Sequence, residues 1–232
     1  MGKDVIVACD FPSAGETLAF LDKLGSARPF VKIGMELYYA EGPQIVRSLK
    51  ERGYKVFLDL KLHDIPNTVK KAMAVLASLG ADIVNVHAAG TKAMMAAALE
   101  GLTRPDGSRP LLVAVTQLTS TDEETMQREL LIPETMPATV MHYARNARDA
   151  GLDGVVCSPL EAAEVHEVCG KGFLTVTPGV RFADGDKGDQ KRVMTPAEAK
   201  RIGSDYIVVG RPITAAPDPA AAYGRCVAEF VD

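Results

Sequence analysis

Eight short runs rich in Val, Ile, Leu and Phe recur along the chain, at 5–9, 30–33, 55–58, 83–86, 111–115, 154–157, 173–176 and 206–209. Most show little polar alternation, as expected of parallel strands buried on both faces. Between and after them lie stretches of helical character at 14–24, 42–51, 67–79, 92–101, 136–150, 160–168, 196–202 and 218–230. Gly53, Gly80, Gly151 and Gly203 follow four of these closely, where left-handed end caps belong, and Ser13 is placed to cap the first. Eight strand–helix alternations in 232 residues predict an α/β chain forming one (β/α)8 TIM barrel over 1–232, without an interdomain linker. A doubly wound open sheet has the same alternation. The first strand–helix turn reads Asp10-Phe11-Pro12-Ser13 rather than GxGxxG, which disfavours a dinucleotide-binding sheet.

Composition narrows the classes. At 47% hydrophobic and 24% charged the chain can bury a full core. A net charge of -4 argues against nucleic acid or an anionic membrane as partner. No apolar run approaches the roughly 20 residues of a membrane span. Lys3-Asp4 leads directly into the first strand run, too short for a signal core. The four cysteines form no CxxC and no metal-like spacing with histidine. A reduced, cytoplasmic protein is expected.

In a barrel, polar residues at the carboxyl ends of strands face the loops that build active sites. Here those ends carry Asp10, Lys32, Asp59 with Lys61, His87, Thr116 to Thr119, Gly179 with Arg181, and Gly210 with Arg211. Lys32 lies between Val31 and Ile33, and a buried lysine is disfavoured unless paired; Asp10, Asp59 and Asp64 are the available counter-ions. Residues two apart on an extended strand share a face, so Asp59 and Lys61 point the same way. At about 4 Å such a pair attracts by roughly 4 kcal/mol in a medium of dielectric about 20, before desolvation. Taken alone the pair is either a structural ion pair closing a strand or part of a site, and the direction of Asp64 is open. The Gly–Arg pairs after strands seven and eight suit a phosphate, because glycine lets backbone N–H groups approach and arginine binds bidentately. The segment 182–193, rich in Gly, Asp and Lys, is a candidate lid. His142 and His166 fall on outer helices, where exposure is expected, and His63 is out of phase with Asp59 and Lys61. His87 either shapes the mouth or simply packs. Ser158-Pro159 suits a helix cap.

The run Asp59-Leu60-Lys61-Leu62-His63-Asp64-Ile65-Pro66-Asn67-Thr68-Val69 resembles the signature of the bacterial-type orotidine 5′-phosphate decarboxylase family. Supporting segments are Phe30-Val31-Lys32-Ile33-Gly34, Asn85-Val86-His87-Ala88, Val115-Thr116-Gln117-Leu118-Thr119-Ser120, Thr177-Pro178-Gly179-Val180-Arg181 and Val208-Val209-Gly210-Arg211. The resemblance implies decarboxylation of orotidine 5′-phosphate to UMP, the last step of pyrimidine nucleotide synthesis, without metal or organic cofactor. It implies that Lys61 protonates C6 beside Asp59, and that Asp10 and Lys32 hold the ribose. Asp64 and Thr68 would reach the site from the second subunit of a homodimer with shared active sites. Thr119 and Ser120 would meet the nucleotide and its base. Gln190, Gly210 and Arg211 would hold the phosphate, with Arg181 anchoring the lid. A magnesium-dependent sugar-phosphate decarboxylase or aldolase of the same superfamily shares the DxKxxD core and is the competing enzyme. A nucleotide-binding sensor is the non-enzymatic reading, and it has no need of Lys61 with its flanking acids.

Overall fold

The computed structural model describes residues 3–183 and 194–232. Eight parallel strands close into a barrel in sequence order: β1 Asp4–Ala8, β2 Phe30–Gly34, β3 Val56–Leu62, β4 Ile83–His87, β5 Leu111–Val115, β6 Gly154–Val156, β7 Leu174–Thr177 and β8 Tyr206–Val209. Closure comes from β1 against β8, with Ile6 opposite Val208 and Val7 opposite Val209. The strands lack polar alternation because both faces are buried. Ile6, Phe30, Phe57, Ile83, Val113, Leu174, Val176 and Val208 fill the interior. Val5, Val7, Val31, Ile33, Leu58 and Val84 point outward into a second core shared with the helices.

Among the described residues the helices are α1 Ala14–Asp22, α2 Met35–Glu41, α3 Gln44–Glu51, α4 Pro66–Ala77, α5 Thr91–Leu102, α6 Glu123–Glu129, α7 Met136–Asp149, α8 Ala162–Cys169, α9 Pro196–Ile202, α10 Arg211–Thr214 and α11 Pro219–Phe230. Three of them, α2, α6 and α10, lie in stretches read from the sequence as connections. They have seven, seven and four residues, and the four of α10 are too few for an apolar period to emerge. The expected caps are present: Ser13 Oγ accepts from Glu16 N at 3.2 Å, and Ser158 caps a 3-10 turn reciprocally with Glu161. Gly53, Gly80, Gly151 and Gly203 have φ of +82°, +80°, +86° and +101°.

The amino-terminal rim of the barrel repeats one device. Gly80-Ala81-Asp82, Gly151-Leu152-Asp153 and Gly203-Ser204-Asp205 each end a helix and deliver an aspartate immediately before an even-numbered strand. Each carboxylate accepts from a backbone N–H at the start of the preceding odd strand region: Val56 at 2.7 Å, Leu112 at 2.7 Å and Thr175 at 2.8 Å. Each also meets a basic side chain, respectively Lys50, Arg109 and His166. His166 therefore departs from the exposure expected for it. It is partly buried, with Nε2 3.0 Å from Asp205, because the clamp draws it against the barrel end.

Candidate active site

At the opposite, carboxyl end, β3 departs from a regular ladder. Its register against β4 runs from Leu58–Val84 to Leu62–Val86, so Asp59, Leu60 and Lys61 together face one β4 residue, Asn85. Lys61 takes up the excess with φ +52°, in the left-handed region that non-glycine residues rarely occupy. The sequence argument that Asp59 and Lys61 converge is correct in outcome, while the geometry that achieves it is a bulge rather than a plain extended strand.

The charged groups form a continuous chain. Lys32 Nζ, projecting inward from β2, lies 2.9 Å from Asp10 Oδ1 and 3.3 Å from Asp59 Oδ2. Lys61 Nζ lies 2.6 Å from Asp59 Oδ1, and Asn85 Nδ2 donates to the same oxygen at 2.6 Å. Asn85 Oδ1 in turn accepts from Lys61 N at 2.8 Å. Burial alone pushes the Asp59 carboxyl up, but Lys32, Lys61 and the hydrogen bonds from Lys61 and Asn85 bring it below its ordinary value. Burial likewise lowers Lys32, and the Asp59 and Asp10 carboxylates reverse that to a net rise. Gly34 leaves room for the arrangement: a Cβ there would stand 3.2 Å from Asp10 Oδ1 and 3.3 Å from Lys32 Nζ.

Lys32, Asp59 and Lys61 line a cavity of about 220 Å³. Phe57, Val115, Val156 and Val208 give it apolar walls, and Gln117, Thr119 and Ser120 add polar groups from the loop after β5. This combination suits a small molecule with both apolar and polar parts. Asp10 joins from the exposed rim through Lys32. Asp64 and Thr68 do not line the cavity. Both are exposed, and Asp64 Oδ1 accepts from Ile65 N at 2.6 Å. Arg181, Gly210 and Arg211 also lie outside the lining. Arg181 Nη1 donates to Val180 O at 2.9 Å, and its backbone N–H donates to Met194 O at 3.0 Å, so residues either side of the 182–193 segment meet. Gly210 is the N-cap of α10, and Arg211, its first residue, is exposed. Gln190, and the lid expectation for all but Phe182 and Ala183, lie outside the described residues.

His63 is exposed, with its ring 5.8 Å from that of His87. His87 is partly buried; burial first, then the nearby His63 and Lys61, lower its pKa, so it stays neutral at neutral pH. Among the described residues no group of three or more His, Cys, Asp or Glu is placed to hold a metal ion. Asn85 belongs to one of the matching segments but has no role in the site expected from the sequence. Its signal was a carboxamide inside Ile83-Val84-Asn85-Val86, on the inward phase of a strand.

A family profile described as "Orotidine 5'-phosphate decarboxylase / HUMPS family" matches residues 3–226. A protein of Geobacillus sp. (strain WCH70) named orotidine 5'-phosphate decarboxylase is 57% identical over 99% of this chain and 98% of its own length. One of the same name from Bacillus caldolyticus is 59% identical, over 97% and 93%. The crystal structure of orotidine 5'-phosphate decarboxylase from Lactobacillus acidophilus superposes with a TM-score of 0.89 at 44% identity, covering 99% of this chain and all of that one. Matched in sequence along nearly its whole length and in the course of its backbone, the chain belongs to the orotidine 5'-phosphate decarboxylase / HUMPS family.

Proposed function

We propose that this chain converts orotidine 5′-phosphate to UMP and carbon dioxide. The observation that carries the reading is the Asp10–Lys32–Asp59–Lys61 chain of charges at one end of a cavity with apolar walls. Relatives of more than half identity that bear the decarboxylase name favour it over the sugar-phosphate alternative.

The chemistry sets two requirements. The C6–carboxylate bond breaks with its electron pair left on C6, so a cation must stand close to that carbon. A proton must then arrive there. Lys61 meets both: its ammonium stabilises the developing carbanion and transfers a proton to C6 as carbon dioxide departs. The lysine is left neutral and regains its proton from solvent. Asp59, ionised and held by Lys32 and Asn85, keeps Lys61 aimed. It also repels the substrate carboxylate, a contribution secondary to stabilising the carbanion.

In the same reading Asp10 and Lys32 hold the ribose hydroxyls, Thr119 contacts the nucleotide and Ser120 lies by the base. Gln190, Gly210 and Arg211 take the phosphate, with Arg181 anchoring the adjoining segment. Asp64 of the partner subunit completes the charge chain, and Thr68 of the partner subunit binds substrate. The exposure of the Asp64–Thr68 stretch, with Ile65 66% exposed, supports that assignment.

The decisive experiment follows the near-ultraviolet absorbance of orotidine 5′-phosphate after exhaustive chelation. Turnover is expected, and Lys61→Ala should abolish it while still binding UMP. No turnover by the wild type, or turnover restored only by magnesium, would sink the reading.

A further inference from the structure

Asn85 is 1% exposed, deep in the barrel, and sits opposite the three residues of the β3 bulge. The bulge takes Lys61 N–H out of the β3–β4 ladder, and this half-buried backbone donor needs another acceptor. Asn85 Oδ1 supplies it at 2.8 Å, while Asn85 Nδ2 reaches Asp59 Oδ1 at 2.6 Å. That same Asp59 oxygen receives the Lys61 ammonium. One side chain thus holds both the backbone and, through Asp59, the ammonium of the proton donor. We propose that Asn85 is a positioning residue for the decarboxylation: its carboxamide locks the left-handed turn at Lys61 and the orientation of Asp59, so that the ammonium is delivered to C6.

The chemistry of the two contacts selects an amide. A backbone N–H only donates and an ionised carboxylate only accepts, so the residue between them must accept on one atom and donate on the other. That requirement also settles which amide atom is oxygen. Aspartate keeps the acceptor but sets a second carboxylate against Asp59. Leucine keeps the bulk and loses both bonds. Left to itself, a left-handed lysine tends to relax toward an extended backbone. Such a change of backbone alters the direction in which the chain presents the ammonium, now 2.6 Å from Asp59 Oδ1, and the donor moves from its aim.

The inference rests on the decarboxylase reading for its kinetic consequence, while the local geometry is testable apart from it. In Asn85→Leu and Asn85→Ala, kcat should fall roughly 10- to 100-fold, the loss expected when a charge-assisted bond and its alignment are removed. KM and UMP affinity should stay within about threefold, because neither amide contact is made with substrate. The acid limb of the kcat profile should move to higher pH, since Asp59 loses one of the bonds that favour its charge. Ile83→Ala, one layer deeper on the same strand, serves as a control for simple destabilisation: it should lower the melting temperature and leave the acid limb in place. Hydrogen exchange at the Lys61 amide gives the test independent of turnover. It should be slow in the wild type, where Asn85 Oδ1 accepts from it, and become fast in both variants. If leucine prevents folding, the alanine variant carries the test. A kcat within about threefold of wild type, an unmoved acid limb, or a Lys61 amide still protected would each overturn the proposal. An inactive wild type with a Lys61 amide released by the variants would instead reject the decarboxylase reading and leave the positioning of Lys61 standing.

Discussion

Asp59 carries more of the site than any other single residue. Its two oxygens receive two ammonium groups and one amide, and its side chain is only 10% exposed. Because its folded pKa is lowered, the stability it contributes is present above the unfolded carboxylate value of about 3.9. That stability is lost as pH falls through the folded value. Lys32 is raised, so its contribution is complete below the unfolded lysine value of about 10.4 and is lost as pH rises through its folded value. Asp59→Asn leaves Lys32 and Lys61 without this counter-charge. It is expected to cost about 3–5 kcal/mol at neutral pH and to remove part of the acid-side decline. Urea melts across the pH range measure both effects. A variant as stable as wild type at neutral pH would show that the charge chain contributes function without stability.

The amino-terminal clamps operate at the scale of whole elements. Asp153 accepts from Leu112 N and pairs with Arg109 through both guanidinium Nη atoms, tying the start of β5 to that of β6. Asp153→Ala should cost about 2–3 kcal/mol, because a buried N–H and a half-buried guanidinium lose their partner together. A lower denaturation midpoint at unchanged m checks this. Kinetic constants should be untouched, since the clamp lies at the opposite end of the barrel from Lys61. The capping role of Gly80, Gly151 and Gly203 was readable because left-handed ends obey local sterics. The role of the aspartate two residues later was not. Its acceptor function depends on the neighbouring strand ending beside it, which no local rule supplies. The short helix α10 is not legible in the sequence for a different reason: four residues are too few to display a period.

At the scale of the molecule, the proposed site needs two copies of the chain. Lys61→Ala and Asp64→Ala subunits should each be inactive alone. After exchange in equal amounts, half the dimers are mixed, and each mixed dimer has one complete site. Recovery of about a quarter of wild-type activity is expected. No recovery, with subunit exchange demonstrated by mass, would argue that Asp64 does not act across an interface.

Much of this architecture follows from local rules. Strand periodicity, cap glycines and the placing of Lys32, Asp59 and Lys61 at strand ends depend on near neighbours in the chain, and all could be read in order along it. Closure of the barrel created what the linear pattern left out. It set Asn85 against a bulge in a strand more than twenty residues earlier, drew His166 to Asp205, and left Asp64 facing outward instead of toward its own Lys61. The first depends on the register between strands, and the other two on how helices and loops pack against the closed barrel. Register is a property of the assembled sheet, settled by packing and hydrogen bonding between segments distant in sequence.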